Sequence, residues 1–204
     1  MALLLLKDKT MKTLKSTALG AVIALALTCG ASAVPTTTFD STLNIGNDAG
    51  GTTVGGFPGP FGTVHVSLTG QIATITFTGL NGFQFGDGSA VGVNVNSTSF
   101  TEAIISDPDF KAFDLSNKNV DGLGDFNLVV NNNNFSTGFN TISFAVTNTG
   151  TAWGSAADVL AFNNHMFDAE AHVRQSVNNP SGLTGFAGEA GPGAPEVALV
   201  ELLR

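Results

Sequence analysis

Alternation of hydrophobic and polar residues is the strongest pattern in this chain. Apolar and polar positions alternate from Thr63 to Thr69 and again from Ala73 to Thr78, and Gly70-Gln71 separates the two runs. Side chains two positions apart share one face of a β-strand. Two such runs on either side of a glycine-containing turn therefore predict a β-hairpin with one buried face.

The same period-two pattern recurs along the chain, and segments rich in glycine, asparagine or proline interrupt it. Further strands are predicted at Phe39–Ile45 on a sheet edge, at Val93–Val95 with Phe100–Ile105 continuing the sheet, and at Lys111–Leu115, Phe126–Val130, Thr141–Thr147 and Asp158–Phe162. Asn117–Gly124 is predicted to be a loop. Short strands without a long helical periodicity indicate an all-β protein, a single antiparallel β-sandwich of jelly-roll-like arrangement.

The segment Phe167–Arg174 alternates strictly, with Phe167, alanines and a valine on one face. The other face carries Asp168, Glu170, His172 and Arg174. Alanine and glutamate also favour a helix, but the alternation favours a strand. The polar row then has a simple interpretation as a solvated, charged ladder. This strand is predicted to be the last of the domain, followed by a turn-rich coda.

The first 33 residues have the features of a secretory signal peptide. Met11–Ala33 combines two lysines, a short apolar run and an A-x-A cleavage site. Residues 1–10 precede a complete signal, which favours Met11 over Met1 as the start. The apolar run is shorter than the roughly 20 residues that span a bilayer, so cleavage is favoured over a membrane anchor.

Three regions follow from this organisation. Residues 1–33 are the signal peptide, 34–190 the β-sandwich domain, and 191–204 a flexible tail. The mature chain is therefore predicted to have no stable membrane anchor. Its destination is the extracellular space or the cell surface, with the periplasm as the alternative.

Charge and cysteine content narrow the class of protein. Removing residues 1–33 leaves four basic residues against fifteen acidic ones, a formal net charge of −11. A chain this acidic does not suit nucleic acid or anionic lipid. Cys29, the only cysteine, lies in the signal peptide, so the mature chain has no disulfide. All sixteen phenylalanines follow the signal peptide, and the core must depend on them.

Three segments carry a resemblance to a known family. Ala169–Val173 has the form A-x-A-H-V, a short Pro/Ser/Gly turn follows, and Thr184–Gly188 has the sequence TGFAG. Asn119–Phe126, NVDGLGDF, lies in the middle of the domain. With the Gly/Asn/Thr/Phe-rich, cysteine-free composition, these segments resemble PEP-CTERM proteins, the exosortase-sorted secreted proteins of Gram-negative bacteria.

The resemblance implies export to the cell surface, a biofilm or an extracellular polysaccharide matrix, and it implies no defined activity. The family ends in Pro-Glu-Pro, a hydrophobic helix and an arginine cluster. Here Pro195-Glu196 is followed by Val197 and a short stretch interrupted by Glu201. The tail is therefore interpreted as an incomplete remnant of the sorting segment.

Candidate metal ligands are few. Asp107, Asp109, Asp121 and Asp125 are oxygen ligands of the kind that Ca²⁺ prefers, but they lack the spacing of a calcium loop. Turn formation is the simpler explanation for these aspartates. Zinc ligation by His165 and His172 has no H-E-x-x-H pattern or cysteine to support it. No metal, cofactor or catalytic residue is predicted.

Catalytic motifs are equally weak. The chain has no G-x-S-x-G segment, and its many acids make any glycosidase-like carboxylate pair uninformative. Trp153 and loop phenylalanines would stack on sugars, although a place in the core is the simpler explanation. The predicted function is a secreted, non-enzymatic structural or adhesive protein of the matrix, with extracellular polysaccharide or other matrix components as partners. A carbohydrate-binding module with a defined sugar site is the alternative, and a hydrolase is the third hypothesis.

Overall fold

The computed structural model describes residues 34–48, 50–104, 112–132, 135, 138–177, 179 and 181–190. The predicted signal peptide, the predicted turn at Asp107–Asp109 and the predicted C-terminal tail lie outside these residues. Within them the structure contains sixteen strands and one 3₁₀ helix, Ala156–Asp158. No helix of the described residues is long and apolar enough to cross a membrane.

The strands are β1 Thr36–Leu43, β2 Ile45–Gly46, β3 Thr53–Val54, β4 Phe57–Pro58, β5 Gly62–Thr69, β6 Ile72–Gly79, β7 Phe83–Phe85, β8 Gly88–Val93, β9 Phe100–Ile104, β10 Ala112–Asp114, β11 Lys118–Val120, β12 Gly124–Phe126, β13 Leu128–Asn132, β14 Thr141–Asn148, β15 Phe167–Gln175 and β16 Thr184–Ala190. Their pairings are antiparallel. The predicted all-β class is confirmed.

Two main sheets pack together, as in a β-sandwich. The first has five strands in the order β1-β5-β6-β14-β9. The second has seven, in the order β10-β13-β8-β15-β16-β2, with β7 also pairing with β15. The small pairs β3-β4 and β11-β12 lie beside them.

The predicted hairpin is confirmed as β5 and β6. Their predicted inward-facing residues are all buried, namely Val64, Val66, Leu68, Ala73, Ile75 and Phe77. The strand β14 likewise buries Ile142, Phe144 and Val146, as predicted. The core between the sheets relies on phenylalanine, since Phe61, Phe77, Phe83, Phe85 and Phe144 are each at most 1% exposed.

Three strand predictions need correction. Phe39 and Leu43 lie in β1, at an edge of the first sheet, but Ile45 belongs to β2 at the edge of the second. β9 does not continue the sheet of Val93, because it pairs with β14 in the first sheet. The predicted strand at Asp158–Phe162 is wrong: the 3₁₀ helix ends at Asp158, and only a single bridge from Leu160 to Val95 follows.

Two predicted loops contain strands. Asn117–Gly124 includes β11 and the start of β12, which form a hairpin. Thr184–Gly188, predicted to be part of a coda, belongs to β16 and pairs along β15. Both segments are rich in glycine and asparagine, which lowers their strand propensity, and tertiary pairing overrides that preference.

The β11–β12 hairpin covers the outer face of the second sheet. Val120, Leu123 and Phe126 form a second buried cluster with Val129 and Phe167. The neighbours of Val129 along β13 belong to the core between the sheets. Because side chains alternate along a strand, this second cluster lies on the opposite face of the sheet.

Asn163 fastens this hairpin to the rest of the domain. Its Nδ2 donates to the carbonyl oxygens of Leu123 at 2.8 Å and Asp125 at 3.3 Å. Its Oδ1 accepts from the backbone N–H of His165 at 2.9 Å and Phe167 at 3.1 Å. One side chain therefore links the hairpin to the start of β15.

Replacing Asn163 by alanine is expected to lower the free energy of unfolding by about 2 kcal/mol, because it leaves several backbone groups without partners. Urea unfolding measures the change. Asn164→Ala is the matched control, since Asn164 is an exposed neighbour. Equal losses in both variants would contradict the fastening role of Asn163.

Candidate binding site

A shallow pocket of about 380 Å³ opens beside the end of β8. Asparagine, serine and threonine provide most of its lining, which comprises Asn94, Val95, Asn96, Ser97, Thr98, Asn127, Thr151 and Ala161. None of these eight side chains is titratable. The pocket therefore presents amides and hydroxyls without formal charge, in a chain that is otherwise strongly acidic.

The asparagines of the pocket are fixed by the surrounding backbone. Asn94 Nδ2 donates to the carbonyl oxygen of Ala161 at 2.9 Å, and Asn96 Nδ2 donates to that of Asp158 at 3.0 Å. Asn127 bonds both the N–H and the carbonyl of Val95, at 2.7 and 2.8 Å. These bonds hold the pocket walls in place before any ligand binds.

Trp153 holds the backbone of one pocket residue in place. It is 6% exposed, and its indole Nε1 donates to the carbonyl oxygen of Asn96 at 2.8 Å. Among the loop phenylalanines, Phe61, Phe83 and Phe85 are also buried, whereas Phe57 is partly buried and packs against the core. The interpretation of Trp153 and the three buried phenylalanines as core is confirmed, and none of these four offers an exposed ring for stacking on a sugar.

His172 is held by the structure through both ring nitrogens. Nδ1 lies 2.9 Å from the carbonyl oxygen of Asp87, and Nε2 lies 3.1 Å from Thr184 Oγ1. The ring stacks on Phe186 with centroids 4.4 Å apart. Because both ring nitrogens have partners within the domain, hydrogen bonding and stacking explain the position of His172 without a metal ion.

The other histidines are also bonded within the domain. His165 Nδ1 lies 3.0 Å from the carbonyl oxygen of Gly122. His65 lies on the outer face of the first sheet, where Nδ1 is 2.7 Å from Asp40 Oδ1 on the paired strand. This pair is exposed, and such ion pairs contribute little to stability.

The two candidate calcium ligands that the structure describes, Asp121 and Asp125, each accept a hydrogen bond from a different asparagine. Asp121 Oδ2 accepts from Asn47 Nδ2, and Asp125 Oδ1 accepts from Asn119 Nδ2, both at 3.0 Å. Asp107 and Asp109 lie outside the described residues. Within the part of the chain that the structure describes, no group of three or more His, Cys, Asp or Glu side chains could hold a metal ion.

The predicted solvated ladder on β15 is wrong. Asp168 is 4% exposed and Glu170 is fully buried. β15 lies between β8 and β16 in the interior of its sheet, and elements cover both of its faces there. Burial of a carboxylate without a partner is costly, so these acids need a physical explanation.

A β-bulge explains where Asp168 points. Between its pairings with β16 at Phe167 and Glu170, β15 advances three residues while β16 advances two. Asp168 and Ala169 therefore share the position opposite Glu189. Strict alternation along the sequence cannot reveal this extra residue.

Asp168 and Glu189 affect each other's ionisation in this position. Burial raises the pKa of Asp168 to about 7, and the neighbouring Glu189 carboxyl adds to that shift. Burial also raises the pKa of Glu189, while the nearby Ser41 hydroxyl opposes that rise. Asp168 Oδ1 and Glu189 Oε2 are buried without a hydrogen-bond partner. A protonated Asp168 suits this position better than a carboxylate, because burial without a donor penalises the charged form.

Glu170 lies on the outer face of the sheet, next to Gly92. A Cβ atom at Gly92 would come within 2.6 Å of Glu170 Oε1, so glycine makes room for the carboxyl group. Burial raises the pKa of Glu170 well above its ordinary value. Neither of its oxygens has a hydrogen-bond partner. The uncharged acid is therefore the form that fits this position.

Sequence reasoning did not anticipate the pocket, because its lining comes from segments far apart in the chain. The asparagines resembled ordinary turn residues.

Searches for related proteins add no assignment: no protein-family model matches the chain, and no curated protein or solved structure matches it.

Proposed function

We propose that the protein is a secreted, non-enzymatic component of the cell surface or extracellular matrix, with a structural or adhesive role and contact to polysaccharide. The uncharged, amide-lined pocket is the observation that carries this proposal. Neutral polysaccharides present hydroxyl groups, and amide and hydroxyl side chains can donate to them and accept from them.

Export and family origin are parts of the same proposal. The signal peptide directs the chain out of the cytoplasm, and the resemblance to PEP-CTERM proteins favours a matrix destination. The net charge of −11 after removal of residues 1–33 keeps such a protein soluble and away from acidic polymers.

A carbohydrate-binding module with one defined sugar site is the second candidate. The fixed asparagines favour it, because a preformed pocket loses less entropy when it binds a ligand. A hydrolase has less support. Acid–base catalysis needs a titratable group within hydrogen-bond reach of the substrate, and none of the eight lining residues provides one.

We also propose the finer, jelly-roll-like arrangement of the sandwich. The chain changes sheet at each step from β8 to β9 and β10, and again from β13 to β14 and β15. Repeated crossing between two antiparallel sheets is typical of such folds.

Filling the pocket is expected to abolish polysaccharide binding. Thr151 is an exposed lining residue, so Thr151→Trp introduces a large side chain at the rim without disturbing the core. Sedimentation with insoluble neutral polysaccharides measures binding, and we expect at least a tenfold weaker association for this variant. Thr52→Trp, at an exposed position outside the lining, is the matched control.

The outcomes separate the candidates. Binding to one glycan on an array, lost only in Thr151→Trp, supports a defined sugar site. Weak binding to several polymers that both variants retain contradicts a role for the pocket and leaves a diffuse adhesive surface. Release of soluble sugar by the wild type contradicts the non-enzymatic proposal.

A further inference from the structure

The outer face of the first sheet carries a regular array of hydroxyl groups. This surface, called the threonine face below, consists of every second residue of the ranges 36–42, 63–69, 72–78, 141–147 and 101–103. Eleven of these eighteen residues are threonine and two are serine. None of the eighteen is buried, whereas the residues between them in β5, β6 and β14 belong to the core.

Strand propensity alone does not explain this array. Threonine favours β-strands in general, so it would be expected in both sheets. The chain has nineteen threonines after residue 33, and eleven of them lie on the threonine face. The strands of the second sheet contain only Thr184. The threonines are therefore concentrated on one surface rather than distributed among the strands.

The threonine face carries almost no charge. Asp40 and His65 are the only titratable residues among its eighteen, and Asp40 Oδ1 lies 2.7 Å from His65 Nδ1. The rest of the array is hydroxyl or apolar, although the chain as a whole is strongly acidic. Complementarity of charge therefore favours a neutral partner over an ion or a charged polymer.

The array is regular in two directions. Neighbouring strands of a sheet lie about 4.8 Å apart, and alternate residues of one strand lie about 6.8 Å apart. The four pairings of the first sheet have no register shift, so its outward side chains form rows across the strands. One row consists of Thr42, Thr63, Thr78 and Thr141. The second sheet has bulges in two of its pairings, and a bulge increases the local twist.

The hydroxyl groups are also restrained in orientation. Threonine is branched at Cβ, which limits rotation about χ1. Contacts between strands restrain it further, since Thr36 Oγ1 lies 2.7 Å from Thr69 Oγ1 and Thr76 Oγ1 lies 3.0 Å from Ser143 Oγ. A surface that is ordered before it binds loses less entropy on binding.

We propose that the threonine face binds the surface of ice crystals. Ice is a neutral lattice of oxygen atoms that donate and accept hydrogen bonds, and a hydroxyl group does both. The prism faces of ice repeat at intervals similar to the two spacings of the array. Each contact is weak, but a rigid array makes many of them together, and linked contacts add to a strong association.

A two-dimensional array distinguishes a crystalline partner from a soluble polymer. A single polysaccharide chain would follow one row of the threonine face and leave the others unused, whereas a crystal surface meets all rows together. This inference does not depend on the amide-lined pocket, which has none of its residues on the threonine face.

Partition into slowly growing ice tests the proposal, because growing ice excludes solutes that do not bind it. The protein exported from the full-length chain is expected to be incorporated into the ice. Thr78→Lys places a charged, hydrated side chain at an exposed position of the threonine face, and it is expected to reduce incorporation about tenfold, because the charge resists loss of its water. Thr52→Lys is the matched control, since Thr52 is exposed but lies outside this face.

Circular dichroism shows whether each variant is folded, and Thr141→Lys changes a second exposed residue of the same row. Exclusion of the wild type from ice overturns the proposal. Equal incorporation of the wild type and either folded variant of this row also overturns it, because another surface would then bind ice. Binding to crystalline cellulose or chitin that Thr78→Lys loses, without incorporation into ice, would assign the threonine face to a polysaccharide surface instead. Thr151→Trp, which fills the pocket, is expected to keep the incorporation of the wild type.

Discussion

Raising the pH from 4 to 8 is expected to lower the free energy of unfolding, by on the order of 4 kcal/mol from Asp168. An unperturbed aspartate has a pKa of 3.8, whereas the pKa of Asp168 is about 7 in the folded protein. The folded state therefore holds a proton that the unfolded state releases. The stabilisation is fully present below pH 4 and is lost as the pH rises through 7.

Between the pKa of the unfolded state and that of the folded state, each proton held only by the folded state lowers the free energy of unfolding by about 1.4 kcal/mol per pH unit. Glu170 acts in the same direction, because burial raises its pKa as well. Most proteins lose stability in acid because their carboxylates are paired when folded. This domain is expected to show the opposite trend between pH 4 and 7.

Urea unfolding across this pH range measures the slope, and Asp168→Asn identifies its source. The amide is neutral at every pH and can donate to Glu189, so the variant is expected to be more stable than the wild type at pH 8, with a shallower slope. Asp87→Asn is the matched control, because Asp87 is exposed and asparagine tolerates its positive φ of 58°. An unchanged slope in the Asp168 variant would contradict Asp168 as its source.

The limits of sequence reasoning are visible in β15. Alternation correctly predicted a strand at Phe167–Arg174 and a shared face for Ala169, Ala171 and Val173. It also placed Phe167 on that face, which is wrong, because Phe167 belongs to the cluster on the opposite face of the sheet. The sequence pattern could not show that β8 and β16 flank the strand, or that the β11–β12 hairpin covers its outer face. Those are non-local pairings, and the burial of Glu170 depends on them.

The pocket shows the same limit. Asn94 and Asn96 are adjacent to one strand, whereas Asn127 and Thr151 reach the pocket from other parts of the chain. Local patterns predict which face of a strand is buried, because that depends on period two. They do not predict which loops meet, and the binding site is made where loops meet.

Phe77→Ala is expected to destabilise the domain by about 3–5 kcal/mol, the usual cost of removing a buried aromatic ring. Phe77 lies in β6, between β5 and β14, and is fully buried. Its ring meets Phe85 of the other sheet edge-on at 6.1 Å and stacks with Phe144 at 6.3 Å. The substitution would therefore remove contacts within the first sheet and between the two sheets at once.

Phe162→Ala separates this packing effect from a general effect of losing phenylalanine, because Phe162 is 39% exposed. Burial accounts for most of a side chain's hydrophobic contribution, so the control is expected to lose less than half as much stability. Thermal and urea unfolding of the two variants at pH 5 compare them under conditions where the buried acids are protonated. Comparable losses would mean that the two sheets do not depend on the phenylalanine core, and the β-sandwich packing would need revision.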